Sequence, residues 1–326
     1  MITHSQLYGK VLTVKLVPLL DCSLTTAATA ATYPLTINHF SGETTLRKPP
    51  ARTVALGPHA LDLLLSLGVQ PVGYGEAAQL SVNNYGSPIR QIRYLGSRVK
   101  GTPVNVGDRF KPNLEVVASL KPDLIVGENY ASDSYTALNK IAPTVLLHGI
   151  HSGDWQKNIV TLAQALNREG QAKAVIARYA RILAGARTAI PAQLRGKKAL
   201  VVWNAGGASR DLYTILGPKD WTGGFFENLG FKLELPARRD TTLTDGYAQI
   251  SSEALSSLNP DAVFVIASSK NTVAQAARDW KANALAQTLR ASRQGHVYFL
   301  DVQLFSRIRG PIAEELMVQE LLRQLR

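Results

Sequence analysis

The chain has 326 residues, 45% of them apolar, an ordinary globular composition with room for two domains. Its single cysteine, Cys22, excludes an internal disulfide framework and every CxxC zinc or redox pattern. Lys and Arg number 36 against 24 Asp and Glu, a net charge of +12, so the field favours anionic partners; the basic residues are scattered, with one mild cluster at Arg90, Arg93, Arg98, Lys100, Arg109 and Lys111, which speaks against a nucleic-acid stripe.

In chain order, residues 1–33 read as an export signal or tail. Lys10 leads a moderately apolar stretch from Val11 to Leu20, broken by Lys15 and Pro18, and Ala28-Thr29-Ala30 is the small-x-small pattern that signal peptidase prefers. Cys22 is a candidate for lipidation, but Asp21 stands where a lipobox has a small residue, so cleavage near Ala30 is the favoured reading. No stretch of about 18 apolar residues suits a membrane span.

From Pro34 onward, short β-branched runs alternate with helical patterns. Strands are expected at Arg52 to Leu56, Pro71 to Tyr74, Leu124 to Val126 and Thr144 to Leu147, with helices from Pro58 to Leu67 and Leu114 to Leu120. Between Ser152 and Ile190 the spacing is wholly helical, with a division expected at Gly170. The alternation resumes with strands at Lys198 to Trp203, Leu212 to Ile215, Ala262 to Ile266 and Val297 to Leu300, and helices at Thr222 to Leu229, Ala254 to Leu258 and Ile312 to Leu325. Such alternation implies parallel sheets covered on both faces. The division is therefore an N-terminal α/β lobe at 34–152, a connecting helical segment at 153–190 and a C-terminal α/β lobe at 191–326.

Glu115, Ser119, Leu120, Pro122 and Asp123 recur at one constant offset as Glu253, Ser257, Leu258, Pro260 and Asp261, each set followed by an apolar strand. The match favours duplication of a helix-turn-strand unit. A looser echo links Gly57-Pro58 with Gly217-Pro218, each placed ahead of a helix.

The strings PNLEVVASLKPDLIVGE (112–128), RTVALGPHALDLLLSLGVQPVGYG (52–75) and ISSEALSSLNPDAVFV (250–265) resemble the iron-siderophore substrate-binding proteins of ABC importers. The resemblance covers about residues 45 to 326. It implies two Rossmann-like α/β lobes joined by a single long helix, with a ligand cleft between the lobes. It also implies binding and delivery without catalysis, and no cofactor, the ligand being a Fe(III)-siderophore complex whose iron the siderophore itself holds. The implied partners are a ferric siderophore and an ABC permease dimer of the inner membrane with its ATPase; nucleic acid is not among them, and the chain is expected to be a monomer in the periplasm or otherwise extracytoplasmic.

Open α/β units bind ligands where strands end and helices begin, so two facing lobes place their loops around one crevice. Citrate and mixed carboxylate-hydroxamate complexes are often anionic, and guanidinium groups match carboxylate oxygens. Arg109 matches the arginine that hydroxamate binders of the family set against iron-coordinating oxygens; the plain alternative is a loop charge or a partner of Asp108. Arg307 and Arg309 fall, by loose register, where hydroxamate-binding relatives carry aromatics, which favours a carboxylate-bearing ligand; the alternative is pairing with Glu314 or Glu315. Tyr130 and Tyr247 are further candidates, with ordinary packing as the alternative, and Arg98, Trp221 and Tyr213 are weaker ones of the same kind.

Glu115 and Glu253 each lie in the first turn of a helix, where a carboxylate complements the helix dipole. By the resemblance they match the two glutamates with which the family docks on its permease. His148 and His151 form an HxxH, but the remaining histidines lack metal-ligand spacing. Two other readings stay open: haem or cobalamin binding on the same fold, and a two-lobed α/β enzyme such as a glycosyltransferase, for which no acid/base pair stands out.

Overall fold

The computed structural model describes residues 32–80, 82–206, 211–236, 246–268 and 271–326; the segment with Cys22 and Ala28-Thr29-Ala30 lies outside them. Strands β1 (Leu35–His39) and β2 (Gly42–Leu46) form an antiparallel hairpin. Then come β3 (Thr53–Leu56), α1 (Pro58–Ser66), β4 (Gly73–Glu76), the short α2 (Pro88–Gln91), β5 (Val104–Asp108), α3 (Leu114–Ser119), β6 (Leu124–Glu128), α4 (Tyr135–Ile141) and β7 (Thr144–Leu147). Strands β3 to β7 make one parallel sheet in the order β5-β4-β3-β6-β7.

Helices α5 (Asp154–Leu166) and α6 (Glu169–Ala189) lead to the second lobe. The break falls at Asn167, in left-handed conformation at φ 53°, and not at Gly170, which α6 absorbs near its start. Past the break, α6 is the long helix of the connection. The second lobe contains β8 (Lys198–Asn204), β9 (Leu212–Leu216), α7 (Trp221–Asn228), β10 (Lys232–Leu233), β11 (Tyr247–Ser251), α8 (Ser252–Ser256), β12 (Ala262–Ala267), α9 (Val273–Ala282), α10 (Ala284–Gln287), α11 (Arg290–Arg293), β13 (Val297–Asp301) and α12 (Pro311–Gln324).

Its sheet runs β11-β9-β8-β12-β13, with β10 beside β8, and is mixed rather than parallel throughout. Strand β9 is antiparallel to β8, and β11 to β9. The reason is chain length: a parallel crossover takes about a dozen residues or more, and the segment between Asn204 and Leu212 is shorter.

The repeated unit is real in space. Asn113 and Ser251 are equivalent N-caps, accepting from the Val116 amide at 3.1 Å and the Ala254 amide at 3.3 Å. The Ser119 and Ser257 hydroxyls donate to the Val116 and Ala254 carbonyls, each at 2.7 Å. Asp123 accepts from the Arg52 amide at 2.7 Å, and Asp261 from the Lys198 amide at 2.9 Å, so each carboxylate ties the unit to the start of its lobe's central strand. The Gly57/Gly217 echo has no such equivalence. Gly57 caps α1 directly after parallel β3, whereas Gly217 follows antiparallel β9 and α7 starts at Trp221 under an Asp220 cap.

Strand alternation sorts side chains between two faces. Ala55, Leu124, Val126, Val145 and Leu147 turn toward α1, α5, α6 and α12, while Val54, Leu56, Ile125 and Leu146 turn toward α3 and α4. In the second sheet Ala199, Val201, Phe264 and Ile266 face the same side as α6 and α12, and Leu200, Val202, Val263 and Val265 face the outer helices. The inner faces of both sheets thus share one continuous apolar cluster, seeded by Trp155, Leu162, Phe226, Phe305 and Met317. Asp62 of α1 reinforces it by accepting from the Ile312 and Ala313 amides at 3.0 and 2.8 Å, capping α12 from the other lobe. At the cleft floor the Ser152 amide donates to Lys219 O at 2.9 Å and the Trp221 amide to Ile150 O at 3.1 Å. With cores, caps and backbone bonds all crossing between lobes, the relative position of the sheets is fixed by packing rather than by a free hinge.

Candidate functional site

A cleft of about 610 Å³ opens between the lobes where strand ends meet helix starts. Asn129, Tyr130 and Ile150 form one wall; Trp203, Leu212, Thr214, Tyr247, Gln249 and Ser268 form the other; Asp220, Trp221, Thr222, Ser306 and Arg309 line the base. Alternation decides which residues of β9 and β11 reach it. Leu212 and Thr214 face the cleft and so do Tyr247 and Gln249, whereas Tyr213, Ile215, Ala248 and Ile250 turn inward.

Tyr213 is therefore a core residue and not a cleft residue. It lies edge-on to Trp280 at 5.7 Å, with its hydroxyl 3.3 Å from Asn283 Nδ2. Arg98 also stands apart, in a short 3₁₀ turn 4.0 Å from Glu315, which in turn pairs with Arg178. Trp221 does line the cleft, although its indole N–H is committed to Phe305 O at 3.1 Å. Tyr247 is on the rim, 42% exposed. Arg307 faces a neighbouring cavity with Arg93, Asn271, Thr272 and Gln303; burial, then the nearby Arg109 charge, weakens its hold on its proton.

Arg109 and Arg309 are brought together from opposite lobes by a residue that sequence reasoning passed over. Glu128, the last residue of β6, is 2% exposed. Its Oε2 accepts from Arg109 Nη1 at 3.2 Å, and its Oε1 lies 2.9 Å from Arg309 Nη2. These contacts replace the alternatives the sequence suggested, since Arg109 does not pair with Asp108 and Arg309 does not pair with Glu314 or Glu315. Asp108 is engaged with the amides of Ala78 and Phe110. The sequence carries a faint signal for this: a carboxylate closing a fully buried strand needs a cation, because a buried acid without a partner is costly.

The Tyr130 ring covers both arginines, its centroid 4.8 Å from the Arg109 guanidinium carbon and 5.5 Å from that of Arg309, and Phe110 adds a second ring over Arg109 at 4.8 Å. Arg309 sits at φ 57° and donates from Nη1 to Gly149 O at 2.6 Å. Burial works against its charge, but Glu128 and Tyr130 more than offset this and hold its pKa above the ordinary guanidinium value. His59, fully buried nearby, is pushed down by desolvation, with the Arg309 charge adding to the shift, and is neutral at pH 7. Asp220 is pushed up by burial, while the Gly223 and Thr222 amides that it caps pull it back. Such a cleft is built to hold an anionic or polar ligand against aromatic faces.

Glu115 and Glu253 are both exposed in the first turns of α3 and α8 and neither lines the cleft. Among the described residues, no group of three or more His, Cys, Asp or Glu side chains is placed to hold a metal, and no helix is long and apolar enough to cross a membrane. His148 packs edge-on against Phe40 at 5.1 Å and His151 lies 3.6 Å from Asp154.

The family model described as periplasmic binding protein matches residues 54–304, a span that takes in nearly all of the two large sheets and most of the cleft lining, with Ser306 and Arg309 beyond its end. The chain belongs to this family. Its members are substrate-binding proteins rather than enzymes. Among relatives, the Fe(3+)-citrate-binding protein YfmC of Bacillus subtilis is 30% identical over 89% of this chain and 85% of its own length. The Fe(3+) dicitrate-binding periplasmic protein FecB of Escherichia coli is 26% identical over 87% of each chain. The Staphylococcus aureus SirA structure complexed with staphyloferrin B superposes with a TM-score of 0.71, at 26% identity, covering 89% of this chain and 98% of that one.

Proposed function

We propose that this protein is the extracytoplasmic receptor of an ABC importer, capturing an anionic ferric siderophore of citrate or carboxylate-hydroxamate type and handing it to a membrane permease. The observation that carries the reading is the cleft itself: Arg309 in its base, Arg109 behind the Tyr130 ring, and Tyr130 facing Trp203 and Tyr247 across a space of about 610 Å³. The names of YfmC, FecB and the SirA complex supply the chemistry of the ligand. Iron arrives as part of that ligand, held by the siderophore, so the protein needs no metal ligands of its own.

On this reading Arg309 and Tyr130 contact ligand oxygens and ring faces, Tyr247 and Trp221 shape the opposite side, and Arg307 reaches the ligand's periphery. Glu115 and Glu253, one exposed on each lobe at equivalent helix starts, serve to register the receptor on the two permease subunits. The protein acts as a monomer, exported through its N-terminal segment, and its partners are the permease dimer and the ATPase behind it.

Fluorescence titration tests this directly, because Trp203 and Trp221 both line the cleft. Ferric dicitrate is expected to quench saturably at sub-micromolar concentration while iron-free citrate is not, since iron preorganises the shape and charge of the complex. Equal affinity for iron-free citrate, or a haem Soret band in protein from the native host, sinks the reading.

A further inference from the structure

The acid between the two arginines has a role that the ligand reading alone does not require. Glu128 is enclosed on every side that the structure describes. A Cβ on Gly57 would lie 2.9 Å from Glu128 Oε2, and one on Gly149 would lie 3.0 Å from Oε1. Gly57 also holds φ +103°, a conformation that L side chains rarely adopt. Two glycines thus leave a slot of carboxylate size, and two guanidiniums from different lobes close it. Both arginines keep a buried Nε that has no hydrogen-bond partner among the described residues.

We propose that Glu128 is a specificity-determining positioning residue: a built-in carboxylate that neutralises, from behind the cleft, one of the two positive charges of Arg109 and Arg309, and so limits how much negative charge the cleft accepts. The inference rests on the ferric-siderophore reading for the identity of the ligand, but its electrostatic part does not. Beneath Tyr130 there are two guanidinium charges and one carboxylate, a surplus of one. Asp220 in the cleft base, the neutral His59 and the Arg307 guanidinium also act on or feel Arg309, and Arg307 in turn feels Arg109 and Glu76. Removing the Glu128 charge raises the local net charge by one unit, and with it the potential, in a site largely closed to water, where screening is weak. Arg309, which lines the cleft, would then present its charge to a ligand carboxylate with less compensation from behind. Keeping Glu128 orders both side chains before the ligand arrives, at the cost of selectivity for the most highly charged complexes.

The experiment compares wild type, Glu128→Gln and Glu128→Asp, each first checked for a cooperative thermal melt. Isothermal titration with ferric dicitrate and with a neutral ferric trihydroxamate reads the preference between charged and neutral complexes. In Glu128→Gln this preference is expected to move toward ferric dicitrate by about tenfold, with a steeper loss of affinity on adding salt, whereas Glu128→Asp keeps the wild-type preference. A purely structural prop predicts the same loss for both complexes in both variants, and that result overturns the proposal.

A second arm needs no siderophore. Of the four tryptophans, Trp155, Trp221 and Trp280 are at most 4% exposed, so Trp203 is the accessible reporter in the cleft. Quenching by iodide is expected to rise in Glu128→Gln while quenching by acrylamide stays constant. If wild type binds neither ferric complex, the ferric-siderophore reading fails and the iodide arm alone decides the role of Glu128; unchanged iodide quenching overturns it.

Discussion

The two lobes are alike on one side of their central strands and unlike on the other. Toward β6 and β12 the same bonds recur at the same offset: an N-cap at Asn113 or Ser251, a serine back-bond at Ser119 or Ser257, and a carboxylate tether at Asp123 or Asp261. Toward β4 and β9 the likeness ends, with β4 parallel to β3 and β9 antiparallel to β8. The shared half does a job that both lobes must do, closing a short helix and starting a central strand. The cleft makes no such common demand: Asn129, Tyr130 and Ile150 line it from the first lobe, after β6 and β7, whereas Leu212, Thr214, Tyr247 and Gln249 of β9 and β11 line it from the second. The charge pair of the first lobe is accordingly not repeated: at the offset of the duplicated unit, Tyr247 stands opposite Arg109 and Ile266 opposite Glu128.

The largest expected effect lies in the charge group at the cleft, which the two lobes do not share. Arg309→Ala leaves Glu128 with one partner at full burial, and losing one member of a buried ionic group costs about 3 to 5 kcal/mol. A denaturant midpoint should drop accordingly, and ferric dicitrate affinity should fall by about ten- to a hundredfold or more, as for a charge-assisted contact of about 1.5 to 3 kcal/mol. An Arg309→Ala protein with unchanged stability would show that the group of two arginines and one glutamate carries no weight between the lobes.

The shared core offers the next test. Burial, with the neighbouring Asp62 carboxylate adding to it, raises the Glu314 carboxyl to about 7. The folded protein then keeps a proton that the unfolded chain has released above its ordinary value of 4.5, so stability falls as pH rises from 4.5 to about 7 and levels off above that. Burial raises Asp62 to about 7 as well, so Glu314→Gln should make the fall shallower without abolishing it, with melting temperatures at pH 5 and pH 8 closer together than in wild type. Parallel pH profiles for the two proteins would contradict the placement.

Symmetry itself is tested by Asp123→Ala and Asp261→Ala. Each removes backbone bonds at the head of a central strand, and each should cost about 1 to 3 kcal/mol. Asp261 also pairs with Arg290 at 2.7 Å, whereas Asp123 accepts twice from the Ala51 amide, at 3.0 and 2.9 Å, so the two losses should be comparable. A strongly unequal pair in urea titrations would mean that the tethers are equivalent in geometry but not in energy.

The smallest effect on the fold belongs to Glu115 and Glu253. Replacing both with Ala should leave the melting temperature and ferric dicitrate affinity unchanged, while whole-cell uptake of the labelled complex falls. Full uptake would reduce them to helix-end charges; parallel loss of binding and uptake would place them in the ligand site.

Sequence alone determined much of this protein. The strand at Thr144–Leu147 is legible to the residue, the helix at Pro58–Ser66 to within one residue, and the duplicated unit residue by residue, because periodicity, turn chemistry and caps are local. Only the tertiary structure decided the rest. Tyr213 reads as a cleft aromatic, but the pleat of β9 turns it inward while its neighbours Leu212 and Thr214 face the ligand space. The direction of β9 depends on how little chain joins it to β8. Glu128 acquires its meaning from Arg109, 19 positions before it in the chain, and from Arg309 in the other lobe. A charge carries no mark in the sequence of which opposite charge it will meet, since burial and distance set the strength of that meeting and both are properties of the packed molecule.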